Sequence, residues 1–151
     1  MTTDDPGLAA AFAGLNREVN ALYHLIARRF GLTMQQAELL CQLHGDPPSF
    51  GELASALGCD KTNVTGMVDR LERRGFLARQ TDPADRRVTR IVITEEGQGM
   101  RSEIRAAFER ELSMRLPAAD RARLVAHVHA SATALADNRT GTPTAPVRPT
   151  H

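Results

Sequence analysis

Two short helix-forming segments flank a single glycine, and two β-like runs follow them; this succession limits the available folds more than any other feature. Ser49 and Glu52 spell an S-x-x-E capping box, which opens a helix over residues 50–57. Gly58 breaks that helix, and Asp60 is placed to cap the next one, which runs to about residue 74 before Gly75. Residues 76–80 and 88–93 then read as two short strands around T-D-P-A-D-R-R, a turn segment rich in Pro and Asp.

The flanks are helical. Leu8, Phe12, Leu15, Val19, Leu22, Ile26 and Phe30 recur at spacings of four and three, a narrow seam suited to helix-on-helix packing. Gly31 stops that helix, and Thr33 with Gln36 opens another that carries Ala37, Leu39, Leu40 and Leu43. Pro47 and Pro48 forbid its continuation. After the hairpin, Thr94 caps a long helix with a Met100, Ile104, Ala107, Phe108, Leu112 stripe. Pro117 punctuates, and a last helix carries Leu124, Val125, Val128, Ala132 and Leu135. From Asp137 the composition turns to Thr, Pro, Gly and Arg without periodicity, so 137–151 is expected to be a disordered tail.

Composition narrows the class of partner. With 151 residues, 42% hydrophobic and 25% charged, the chain is long enough for one compact domain without disulfides or metals. A net charge of +1 gives no global field toward polyanions, so any nucleic-acid surface must be a local patch. Aromatic residues are 4% with no Trp, which argues against a stacking platform for single strands. Cys41 and Cys59 make no disulfide framework. The acidic start lacks the basic region of a signal peptide, and no apolar run reaches membrane-span length. A cytoplasmic location and no membrane partner are expected, which makes the N-x-T sequons at Asn63 and Asn138 chance matches.

A glycine-joined helix pair followed by a hairpin suggests a winged helix-turn-helix. Ala54 is small where the second helix must cross the first, and Gly58 stands where the turn needs a positive φ. Leu53, Leu57, Val64 and Met67 take the inward positions, and Cys59 falls on another. The stretch D-P-A-D-R-R-V-T-R-I-V-I-T-E-E-G, residues 82–97, closely resembles the wing signature of the MarR family of bacterial transcriptional regulators: an Asp-rich turn with D-x-R, an apolar strand, then L-T-x-x-G. Ile93 stands for the usual Leu. V-D-R-L-E-R-R-G-F-L-A-R, just before it, is similar to the end of a MarR recognition helix, and the resemblance spans about residues 8–136.

The resemblance implies a mainly α fold with a small β-hairpin wing, a single MarR-like domain over 1–136. Within it 33–93 would be the DNA-binding lobe, and 8–31 and 94–136 would be dimerisation helices. Two long apolar stripes beside a small lobe agree with pairing to a second copy. Two-fold symmetry then predicts a pseudo-palindromic duplex site with half-sites about one DNA turn apart.

In that arrangement the helix after Gly58 enters the major groove. Thr62, Asn63, Thr65 and Gly66 are the base-edge candidates, with Arg70 next: Asn pairs bidentately with adenine, Thr offers a methyl to thymine, and Gly lets the backbone approach. Lys61 suits a phosphate, as do Ser49 and the amides beside it. Arg87 matches the Arg of D-x-R and would enter the minor groove, oriented by Asp85, with Arg86 on a phosphate. Arg73, Arg74 and Arg90 would flank the backbone or simply be solvated. Asp85 and Arg87 also fit a plain turn pair that never meets DNA.

Members of this family are often released from DNA by a small phenolic ligand, by oxidation or by a metal. Tyr23, His24, Arg28 and His44 are the residues near the elements where such a ligand would sit, and the function implied is a repressor with a small-molecule effector. His24 and His44 also fit structural roles at an interface and a helix end. Cys41 reads as buried packing and Cys59 as a turn-core residue, with a redox response through either as the alternative. His127 and His129, two apart on a helix, are poor co-ligands, so no metal and no cofactor are expected. No nucleophile elbow, phosphate loop or metal-base motif points to an enzyme. A winged helix that has lost DNA binding and serves protein interaction is the remaining alternative.

Overall fold

The computed structural model describes residues 7–137, and the tail expected beyond Asp137 lies outside the described residues. Among them are six helices and one two-stranded antiparallel hairpin: α1 (Leu8–Arg29), α2 (Met34–Gln42), α3 (Phe50–Leu57), α4 (Lys61–Arg73), β1 (Leu77–Thr81), β2 (Thr89–Ile93), α5 (Glu95–Arg115) and α6 (Arg121–Asp137). The fold is therefore mainly α with a hairpin wing on a helix-turn-helix. The chain divides into two compact units between Glu111 and Leu112.

Local chemistry sets the helix starts. Thr33 and Ser49 each accept from the amide three residues on, while Gln36 and Glu52 reach back to the amides of Thr33 and Ser49, two complete capping boxes. Asp60 accepts from the Asn63 amide at 2.8 Å and so caps α4. Gly58 has φ +63°, a left-handed conformation that an L side chain rarely adopts, and it turns the chain tightly from α3 into α4.

In the first unit the core is built by Ile26, Leu39, Leu40, Leu53, Val64, Val68, Leu71, Ile91 and Ile104, all essentially inaccessible. The inward face expected for α4, Val64, Met67, Val68 and Leu71, is buried as a set. Leu57 and Cys59 depart from expectation: both are only half-buried and border an open cleft that Met67 of α4 also lines. Cys41 is likewise half-buried and not core packing, since it faces a cleft beside Tyr23. The α1 seam is buried at Leu22 and Ile26 but exposed at Leu8, Phe12 and Leu15.

Both strands start one residue later than their composition suggests. The Phe76 amide bonds back to the Leu71 carbonyl at 2.9 Å, closing α4, and the Val88 amide bonds to the Asp85 carbonyl at 2.9 Å, which keeps Val88 in the turn. Leu77 pairs with Ile93 and Thr81 with Thr89. A third segment joins β2: Ser49 bridges Arg90, and the Ile91 amide donates to the Pro48 carbonyl at 2.9 Å. The wing is thereby hydrogen-bonded to Pro48, the residue just before the cap of α3.

In the second unit α6 has no buried residue, and Leu124, Val125, Val128 and Leu135 are exposed. No described helix is long and apolar enough to cross a membrane.

Candidate nucleic-acid interface

The first half of α4 presents Lys61, Thr62, Asn63 and Thr65, all exposed, above the buried Val64 and Met67. The Thr65 hydroxyl donates to the Lys61 carbonyl at 2.8 Å, so its polar group is used within the helix and its methyl is what remains for a partner. The Asn63 amide group donates to Asp60 at 3.4 Å, a long bond that a better acceptor can replace. Gly66 sits mid-helix, where glycine costs about 1 kcal/mol relative to alanine. Nothing within 4 Å would meet a Cβ there, so no internal packing demands it.

At the wing tip, Arg87 and Asp85 form a two-pronged pair. Arg87 Nε lies 3.1 Å from Asp85 Oδ1 and a terminal guanidinium nitrogen 3.4 Å from Oδ2, and the Arg87 amide donates to Oδ1 as well. The Arg87 side chain is nevertheless 91% exposed. The Arg87 guanidinium, and then its amide, hold the Asp85 carboxyl below the usual carboxylate range. The arrangement extends a permanent cation into solvent on a stem with reduced freedom. Arg86 beside it is exposed.

The base of the wing is different. Arg90 Nε contacts Asp82 at 2.6 Å and its Nη1 contacts Glu52 at 2.9 Å. Asp82, 8% exposed, also accepts the amides of Ala84 at 2.7 Å and Asp85 at 3.3 Å. The Arg90 bond, followed by the Ala84 amide, lowers the Asp82 pKa. The Ser49 amide chiefly, and Arg90 after it, lower that of Glu52. Arg90 is thus committed to two carboxylates, which the expectation of a backbone-flanking residue did not foresee. The strand register sets Arg90 opposite Gln80, with Asp82 two residues along on the diagonal, and it is not visible in the one-dimensional pattern.

Other arginines sort in the same way. Arg74 donates to the carbonyls of Gly31 at 2.7 Å and Phe30 at 3.3 Å and lies over the Phe76 ring, so it ties α4 to the end of α1 and is a structural residue. Arg79, which the sequence did not single out, pairs with Asp69 and Glu72 and lies over Phe50. Arg73 donates to the Asp69 carbonyl and is exposed, as is Arg70. At the start of α3 the Ser49 hydroxyl is occupied as a cap and Glu52 adds a carboxylate, which weakens that end as a phosphate site. Lys61 offsets this: a Cβ built on Gly51 would lie 3.2 Å from Lys61 Cε, so the lysine stem crosses the first turn of α3.

The four residues expected near a ligand do not converge. Tyr23 and His44 line one cleft of about 490 Å³ with Cys41, Arg105 and Phe108. Tyr23 stacks on Phe108 there, centroids 4.3 Å apart. His24 and Arg28 lie instead on a separate open shelf with Leu25. Arg105, missed in the sequence, donates to the Cys41 carbonyl at 3.4 Å. A further cleft of about 330 Å³ joins Asn63 and Arg70 to Thr33, Glu38 and Cys59. Among the described residues no group of three or more His, Cys, Asp or Glu could hold a metal ion.

Residues 32–89 match the model of the MarR family. The fold is similar to the apo form of MarR from E. coli, at TM-score 0.71 and 22% identity over 82% of this chain and 96% of that one. It is similar to CouR from Rhodococcus jostii bound to p-coumaroyl-CoA, at TM-score 0.73 and 22% identity over 94% and 96%. A MepR mutant from S. aureus, bound to an oligodeoxyribonucleotide, matches at TM-score 0.59 and 20% identity over 84% and 96%.

Proposed function

We propose that the protein, whose residues 32–89 match the model of the MarR family, is a member of that family and a sequence-specific repressor that binds duplex DNA as a homodimer. The observation that carries this reading is the wing tip: a guanidinium that is locked by Asp85 and still 91% exposed is built to be inserted into a partner. A narrow minor groove concentrates negative potential and suits that group. The exposed polar start of α4 then meets the adjacent major groove, with Asn63, Thr62 and Thr65 on base edges and Gly66 allowing close approach. Arg70 follows them, while Lys61, Ser49, Arg73 and Arg86 serve phosphates. A relative of the same fold has been captured on an oligodeoxyribonucleotide, which supports the docking mode.

The exposed apolar residues of α1 and α6 are the surfaces we assign to the second copy. The effector is a small phenolic compound, and the Tyr23–Phe108 cleft with His44 and Arg105 is its site: stacked rings offer an aromatic wall and the cation an anchor. CouR, with its acyl-CoA ligand, supports ligand control in a chain of this shape. Oxidation at Cys41 is disfavoured, because burial pushes its thiol up and lowers the thiolate fraction.

The test is Arg87→Ala. A loss of DNA affinity of about tenfold or more, with an unchanged melting temperature, supports insertion of the wing. Retained affinity contradicts it and favours a winged helix that serves protein contacts.

A further inference from the structure

Six residues, joined by hydrogen bonds and by the Asp85 residue itself, form one connected path from the first turn of α3 to the tip of the wing. The Ser49 amide donates to Glu52 Oε2 at 2.7 Å, and Arg90 Nη1 donates to the same oxygen at 2.9 Å. Arg90 Nε donates to Asp82 Oδ2 at 2.6 Å. The other Asp82 oxygen holds the Asp85 amide, and the Asp85 carboxylate holds Arg87. Backbone pairing of Ser49 with Arg90 runs alongside. Arg90 is the only member that touches both α3 and the wing turn through its side chain.

We propose that Arg90 is the positioning residue that fixes the Arg87 guanidinium relative to the helix-turn-helix, so that wing and recognition helix meet their two grooves as one body. The inference rests on the functional reading above and goes beyond it, since it assigns a role to a residue that does not itself touch DNA. Two carboxylates within 3 Å neutralise Arg90 and leave it poorly suited to a phosphate. Its fork geometry is what the role needs, because a lysine ammonium cannot hold two carboxylates in fixed directions. The bridging position, between a capping box and a wing turn, makes the angle between them a function of one side chain.

The experiment uses the full chain and the duplex that the wild-type protein selects from a random pool. Arg90→Gln is expected to weaken binding about tenfold and to add less than about twofold once Arg87→Ala is present, since a residue acting through another is non-additive with it. Glu52→Gln is the second variant. Gln36 completes the capping box of α2, so Gln at position 52 keeps the α3 cap while removing the charge that holds Arg90. It is expected to speed amide exchange at Ala84 and Asp85 in the DNA-free protein. Equal losses in both Arg87 backgrounds, or unchanged exchange at those two amides in both variants, overturn the proposal. A wild-type chain that selects no duplex overturns the functional reading instead, and the exchange measurement still decides whether Arg90 orders the wing.

Discussion

Gly97, in the first turn of α5, lies so close to Phe76 that a Cβ added to it would overlap the Phe76 carbonyl oxygen and come within 2.8 Å of Ile93 Cγ1. The contact is a junction between the end of α4, the hairpin and the start of α5. Thr94 completes it: its amide donates to the Phe76 carbonyl at 3.1 Å, its hydroxyl donates to the Gly75 carbonyl at 2.5 Å, and the same oxygen accepts the Gly97 amide at 3.1 Å. The threonine and glycine of the sequence T-E-E-G therefore have mechanical reasons to be there.

Gly97→Ala is accordingly expected to destabilise the fold by roughly 3 kcal/mol, the upper end for overpacking, because a backbone oxygen cannot move aside as a side chain can. Urea denaturation checks this. A change under about 0.5 kcal/mol would mean the junction is loose.

Gly66→Ala should move stability and binding in opposite directions. The helix gains roughly 0.5–1 kcal/mol, since nothing inside the chain opposes a methyl there. Affinity for DNA falls if the backbone approaches the groove at that point. Asn63→Ala, on the same face, is expected to cost about 1–3 kcal/mol of binding and to relax preference at one base pair. Measuring melting temperature and anisotropy on both variants decides; unaltered binding in both removes α4 from the interface.

Acid should loosen the wing before the rest of the lobe. Asp82, Asp85 and Glu52 all have folded pKa values lowered by hydrogen bonds and arginine partners. A lowered folded pKa means the stabilisation is complete above the ordinary carboxylate range, about 4, and is lost as pH falls below it toward the folded value. Amide exchange followed downward from pH 6 should show early loss of protection at Ala84, Asp85 and Arg87. The Thr33–Gln36 box contains no titratable group and is the internal control. Simultaneous loss at both places would contradict local control.

Self-association should depend on the apolar face of α6. Val125 and Val128 are 49% and 48% exposed. A Val125→Glu substitution is expected to weaken the dimer by about 2 kcal/mol, the order of burying one such side chain. Sedimentation equilibrium reads this directly, and an unaltered dimer would place the interface elsewhere.

Much of the lobe was legible because its signals are local. Both capping boxes, the Gly58 turn, the Asp60 cap and the buried face of α4 depend on residues three or four apart, and each is found as expected. The resemblance supplied the Asp85–Arg87 pair by the same logic, two residues within one turn. What was not legible is long-range. Arg90 reaches Glu52 across 38 positions and Arg74 reaches Gly31 across 43, so arginines tied down by tertiary contacts looked like ones that flank DNA or stand solvated. The clefts were obscure for the same reason, since half-burial of Cys41, Leu57 and Cys59 depends on where neighbouring helices stop.

Selection of duplexes from a random pool by the full chain, followed by salt titration of the winning sequence, tests the central claim most directly. The account predicts a two-fold symmetric motif with half-site centres about 10 base pairs apart, bound by two chains, with affinity falling steeply as salt rises. Recovery of no enriched motif, or a single chain bound with no sensitivity to salt, would contradict it.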